Sequence, residues 1–188
     1  MNQNKVLTYA VLIALCAMSF WLLRMTYEPD IPEGAQLGHE PDFTMDSFTA
    51  TQMDQLGLPA HSLTADFMKH FADDGTTEYI QPHITFFRSD GAPWHIFSET
   101  GWMSAAGDLV LFLGEVQIIR EASPTNRPVK ILTRDLRVRP KDQTGKTDKR
   151  VNMVSDNMNA KGIGMTVDWT RQQLKLLSEA RGRYEPIH

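Results

Sequence analysis

His70, Asp73 and Asp74 lie close enough in the sequence to suggest a bound metal ion, and His61, His83 and His95 fall in neighbouring segments. A closed zinc site needs four ligands in tetrahedral array. Only three donors cluster here, and Asp73-Asp74-Gly75 already carries the chemistry of a tight turn. His61, His83 and His95 fall on polar-face positions with no carboxylate or nucleophile at a useful spacing. The chain has no Gly-x-Ser-x-Gly elbow and no glycine loop that would cradle a phosphate, and its single cysteine, Cys16, lies in an apolar run. These residues point to a protein that is not an enzyme, with no cofactor and no metal. An anchored hydrolase is the reading they disfavour most.

The elements around them read as β throughout. Short alternating runs recur: Leu63-Thr64-Ala65-Asp66-Phe67, Ile84-Thr85-Phe86, Trp94-His95-Ile96, Leu109-Val110-Leu111-Phe112-Leu113, Leu136-Arg137-Val138 and Met165-Thr166-Val167. A period of two puts one face on a core and the other in water. Asp73-Asp74-Gly75, Ala106-Gly107-Asp108 and Thr144-Gly145-Lys146 supply the positive φ that tight hairpins need. Only residues 169–179 are open to a helical or an extended reading. Alternation assigns as inward Phe67, Tyr79, Ile84, Phe86, Ile96, Leu111, Leu113, Val116, Ile118, Leu136, Val138, Val151, Met153, Met165, Val167, Leu174 and Leu176. The parity slips near Gly101 and Gly114, where a bulge is expected.

Residues 6–23 form an uncharged apolar run bounded by Lys5 and Arg24. As a helix it is about 27 Å long, close to the hydrocarbon thickness of a bilayer. Tyr9 and Trp21 fall near the two interfaces, where amphipathic rings are favoured. A cleaved signal peptide would end at small residues, whereas Phe20, Trp21, Leu22 and Leu23 are bulky. The expectation is an uncleaved transmembrane helix. After Arg24 no basic residue appears until Lys69, which favours a cytoplasmic N-terminus (residues 1–5) and a translocated body. Residues 24–41, rich in Pro, Gly and acids, read as a linker, and 42–188 as one domain. Ala10, Ala14 and Ala17 offer a small-residue face to another membrane helix.

Charge is uneven. Residues 127–150 hold nine of the nineteen Lys and Arg against three Asp, in a chain of net charge −4. That cluster reads as a solvated hairpin rim, with contact to lipid phosphates or an anionic surface as the other reading. Aromatic residues are not interleaved with it, so nucleic acid is not the expected partner.

Segments starting at Ser62, His95 and Lys130 are spaced 33 and 35 residues apart, and each leads through a turn to a second apolar strand. Stacked two-strand units would build an elongated β structure; chance likeness among hairpins is the alternative. Several stretches then resemble a known family: Gly57-Leu58-Pro59-Ala60-His61-Ser62-Leu63-Thr64-Ala65, Trp94-His95-Ile96-Phe97-Ser98-Glu99 and Gly107-Asp108-Leu109-Val110-Leu111-Phe112-Leu113-Gly114-Glu115-Val116. Ile131-Leu132-Thr133-Arg134-Asp135-Leu136, Ala160-Lys161-Gly162-Ile163-Gly164-Met165 and Leu174-Lys175-Leu176-Leu177 follow in order. With the apolar N-terminus, the chain resembles the LptC family across essentially its whole length.

That resemblance implies an all-β fold, a single transmembrane helix followed by a twisted open antiparallel β-jellyroll like that of LptA. It implies an inner-membrane protein with a periplasmic body that carries lipopolysaccharide acyl chains along the inward residues named above. It further implies lipid received from the inner-membrane ATP-binding cassette transporter (LptF and LptG with LptB) at the N-terminal edge. LptA would take the lipid at the C-terminal edge. The anchor helix would moderate the transporter's ATP hydrolysis. Gly57 and Gly162 match glycines of the family pattern and are expected to keep the edge strands placed for docking. A membrane-tethered scaffold that recruits envelope partners without carrying lipid is the alternative.

Overall fold

The computed structural model describes residues 13–22, 24, 39–88, 91–124 and 126–185. The chain divides into two compact units, 1–38 and 39–188. In the first, residues 13–22 and Arg24 are helical and exposed, and the Arg24 guanidinium lies 5.9 Å from the Phe20 ring centre. Among the described residues no helix is long and apolar enough to cross a membrane. The expected span 6–23 falls partly outside them, at residues 6–12 and 23, and so does most of the expected linker, 25–38.

The described residues of the second unit form ten strands: β1 (Pro41–Met53), β2 (Pro59–Phe71), β3 (Thr77–Ile80), β4 (His83–Phe86) and β5 (Trp94–Met103), then β6 (Val110–Arg120), β7 (Val129–Arg139), β8 (Thr144–Ser155), β9 (Met158–Asp168) and β10 (Gln173–Tyr184). All pairings are antiparallel in one sheet, ordered β1-β2-β3-β5-β6-β7-β8-β9-β10, with β4 continuing the line of β3 between β2 and β5. The ambiguous stretch after Trp169 is a turn followed by strand β10. The repeated segments beginning at Ser62, His95 and Lys130 lie on β2, β5 and β7. Each pairs with the strand expected as its second half, β4, β6 and β8 respectively.

A seam of irregularity crosses the sheet at mid-length. Between the buried Phe112 and Val116, β6 runs four residues, while β5 (Ser98 to Gly101) and β7 (Thr133 to Leu136) cover the same stretch in three. β8 repeats the longer step from Thr147 to Val151, and β9 the shorter one from Gly162 to Met165. Six residues of positive φ mark this line: Ser47, Gln81, Gly114, Asp135, Gly164 and Glu179. Each is a bulge or break in the strand run; the inward face changes parity across those on β7 and β9 and keeps it across the one on β6.

Bulges strip ladder partners from buried backbone groups, and the buried polar side chains of the seam replace them. The Thr133 hydroxyl donates to the Arg150 carbonyl at 2.9 Å and that of Thr147 to the Arg134 carbonyl at 2.8 Å, where β7 and β8 lose register. The Ser98 hydroxyl donates to the Thr100 carbonyl at 2.7 Å, and the Gly114 N–H donates to the Asp135 carboxylate at 3.1 Å.

Kinked along this seam, the sheet curls back on itself. Phe86 ends β4 and Trp169 follows β9, with four strands between them in the sheet order, yet their rings stack 4.8 Å apart. The Arg88 guanidinium donates to the Trp169 carbonyl at 2.6 Å, and the Trp169 N–H donates to the Gln143 carbonyl at 3.0 Å. Gly145 makes the approach possible, since a Cβ there would lie 2.5 Å from the Trp169 ring.

Candidate functional site

The curl encloses a single apolar cluster running from Leu63 on β2 to Val167 on β9 and Trp169 beyond it. Of the positions expected to face inward, Tyr79, Ile84, Phe86, Ile96, Val116, Ile118, Leu136, Val138, Val151, Met153, Met165 and Val167 belong to it. Leu174 and Leu176 pack against it, half-buried, from β10. Phe67, Leu111 and Leu113 do not; their placement corrects the expectation. The β6 bulge falls between Phe112 and Val116 and adds a residue, so even numbers stay inward on both sides and Phe112 is fully buried. On β2 the step from Ala65 to Met68 likewise turns Phe67 outward, paired with the exposed Ile80. These three residues line an outer hollow with Ile80 and Trp102.

Inward residues not expected from alternation are Leu63, Ala65, Met68, Trp94, Val110, Phe112, Ile131, Ala160 and Trp169. Trp94 shows a usable signal, an aromatic opening a strand. Trp169 shows none, because it follows its strand and its partner is 83 residues earlier.

The interior is filled. Phe86, Phe112, Ile96, Ile118, Ile131, Leu136, Val138 and Met165 are fully buried. Burial pushes the Tyr79 hydroxyl up to about 12, and that group donates to the Met103 sulfur at 3.6 Å. Among the described residues, the indole N–H groups of Trp94 and Trp169 are buried without an acceptor.

Both ends of the sheet are unpaired among the described residues: β1 pairs only β2 and β10 pairs only β9. Their exposed backbone groups are templates for an added strand. Gly162 lies directly under the β10 edge, where a Cβ would meet the Ser178 carbonyl at 3.1 Å and Leu176 at 3.3 Å. Gly57 has φ +76° in the β1–β2 turn with open space around it, so its need for glycine is conformational. Of the small helix residues, Ala14 and Ala17 are helical and exposed, and Ala10 lies outside the described residues.

The polar groups that suggested chemistry are dispersed. His70 bonds the Asp42 carboxylate at 2.7 Å rather than joining Asp73 and Asp74. His39 takes that place: its ring stacks on Phe71, and its Nδ1 lies 3.0 Å from Asp73, which raises its pKa. The donor atoms of His39, Asp73 and Asp74 lie within 4.8 Å of one another at an exposed turn, where Asp74 already accepts from both the N–H and the hydroxyl of Thr76. His83 Nε2 and His95 Nδ1 are 3.0 Å apart on the outer face, and burial, with His95 adding to it, holds His83 below the ordinary imidazole range. No carboxylate is bonded to either ring among the described residues.

A single curled antiparallel sheet with an apolar inside and, among the described residues, two unpaired edges defines an open β-roll. The solved structure of LptH, the LptA homologous periplasmic component of the lipopolysaccharide transport device of Pseudomonas aeruginosa, has this fold. It superposes with a TM-score of 0.52 at 11% identity, covering 67% of this chain and 95% of that one. No curated protein sequence matches the chain. Residues 9–185 match the family described as lipopolysaccharide-assembly, LptC-related, and the chain belongs to the LptC family. Membership places it in lipopolysaccharide transport, among the components of that system.

Proposed function

We propose that the protein is a tethered relay. It receives lipopolysaccharide from the inner-membrane ATP-binding cassette transporter, LptF and LptG with LptB, along the β1 edge. It passes the lipid to LptA along the β10 edge. Residues 6–23 tether it to the inner membrane as a single span with a cytoplasmic N-terminus, and Ala10, Ala14 and Ala17 offer that helix a packing face. The observation that carries this reading is one continuous apolar interior lying between two unpaired strand edges. Strand addition at each edge would extend that interior from roll to roll, keeping acyl chains out of water over the whole path.

The filled interior favours the second reading, a scaffold that joins partners without holding lipid, because no acyl chain fits while Trp169 closes onto Phe86. The relay therefore requires the two halves of the sheet to part along the seam when lipid arrives. A photoreactive residue at Ile118, introduced in cells, separates the two readings. The relay predicts a lipopolysaccharide adduct that depends on ATP. The scaffold predicts none at any inward position, while crosslinks from the β10 edge to LptA persist.

A further inference from the structure

Seven of the nine basic residues of segment 127–150 are carried, exposed, by strands: Lys130, Arg134, Arg137 and Arg139 on β7 and Lys146, Lys149 and Arg150 on β8. β9 and β10 add further cations beside them. One hollow of about 590 Å³ is ringed by Arg134, Arg150, Lys161 and Arg181. A second, of about 650 Å³, is ringed by Arg137, Arg139, Lys146 and Lys175. Each draws its cations from three or more of β7–β10, so only the folded sheet brings them together.

Counter-charge is sparse. In the first hollow Glu115 comes within 4.0 Å of Arg134, and Glu179 is the other acid. In the second, Asp168 is already held by Arg171 at 3.0 Å. Arg150, Lys161, Arg181, Arg137, Arg139, Lys146 and Lys175 make no ion pair among the described residues. The register makes this costly, because Arg137 sits directly opposite Lys146 on the neighbouring strand. Like charges directly opposite destabilise a sheet. Thr166 then separates Lys146 from Lys175 in the same row. A like-charge row that outnumbers its carboxylates inside concave hollows is suited to an anion of several charges.

We infer that the outer face of β7–β10 binds the phosphorylated saccharide headgroup of the transported glycolipid; this rests on the relay reading above. Phosphate oxygens accept several charge-assisted hydrogen bonds at once, and guanidinium groups match them in pairs. Acyl chains inside and headgroup phosphates outside would then be held by opposite faces of one sheet. Hollows suit a compact headgroup better than the flat plane of a membrane surface, which would engage a level field of cations.

The test uses the full chain in neutral detergent, titrated with a bisphosphorylated lipopolysaccharide glycolipid and with the same glycolipid stripped of phosphate. Wild type should prefer the phosphorylated form, and raised salt should erode that preference. R137Q/K146Q and R150Q/R181Q should each weaken binding of the phosphorylated form by about tenfold or more. Both should leave the phosphate-free form bound as before. R137Q/K146Q should also melt no lower than wild type, because it removes a repulsive pair, whereas a structural role would lower its melting temperature. Equal binding of the two glycolipids by wild type overturns the site while leaving the relay standing. Failure of both to bind overturns the relay itself. Displacement of the glycolipid by equimolar inorganic pyrophosphate reassigns the hollows to free phosphate, and displacement by polyglutamate reassigns them to an acidic protein. Either displacement overturns the inference.

Discussion

The indole of Trp169 stacks on the ring of Phe86 at 4.8 Å with 21° between the planes, tying the turn after β9 to the end of β4. Because β5, β6, β7 and β8 lie between those strands in the sheet, this contact closes the roll. Trp169→Ala should therefore cost about 3–5 kcal/mol in denaturant unfolding, as for other large-to-small changes in a packed core. Gly145→Ala should cost about 1–3 kcal/mol by crowding the same ring, and combining the two should cost less than their sum. Additive effects would show that the Gly145 site does not act through Trp169.

The seam makes its own prediction. Thr133→Val and Thr147→Val each keep shape but leave a carbonyl in a part-buried setting, of Arg150 or Arg134, without its donor. Each should lower stability by about 1–3 kcal/mol. Threonine at an ordinary strand position on the outer face, such as Thr166, should tolerate the same change within about 0.5 kcal/mol. A loss at Thr166 as large as at Thr133 would argue against the carbonyl explanation.

Strand content was legible in the sequence because alternation and glycine-led turns are local signals. The seam was not. Ser47, Gln81, Asp135 and Glu179 take positive φ without being glycine, so nothing in their identity announces a bulge. Phe67 was misplaced because the inward face of β2 changes parity between Ala65 and Met68, and Leu111 and Leu113 because the extra residue at the β6 bulge keeps even positions inward on both sides of it. The basic hollows were half legible, since Arg134 and Arg150 belong to a visible charge cluster while Lys161 and Arg181 reach it only through sheet pairing. Trp169 was beyond local reading altogether, because its role depends on how far the sheet curls.

Two glycines should respond differently. Gly57→Ala meets open space but must hold φ +76°, a strain of about 1–2 kcal/mol that leaves the edges intact. Gly162→Val forces Ser178 and Leu176 away from β9, so it should impair strand-mediated association at β10 beyond its effect on stability. Crosslinking yield from the β10 edge to LptA, compared at matched folded fraction, distinguishes them. Equal loss in both variants would contradict the assignment.

Acid should weaken the fold. His61 and His83 sit below the ordinary imidazole value of 6.5, burial being the first cause for each, with His95 adding to the effect on His83. As pH falls through about 6.5 the unfolded chain binds protons that the folded chain refuses, so stability declines toward the lower folded values. His39, raised by Asp73, works in the opposite sense: its contribution is full below about 6.5 and fades as pH rises through its folded value, and full exposure keeps it small. Melting temperature should therefore drop between about pH 7.5 and 5.5. His83→Gln should flatten that slope; an unchanged slope would assign the effect elsewhere.

The central claim, that lipid occupies the inner face of this sheet, is tested most directly at two adjacent residues of β6. Phe112 is fully buried and Leu113 is exposed on the opposite face. A photoreactive residue placed at each in turn, in cells with an active transporter, should give an ATP-dependent lipopolysaccharide adduct at 112 and little at 113. Equal labelling at both positions, or labelling at 113 alone, would contradict the account.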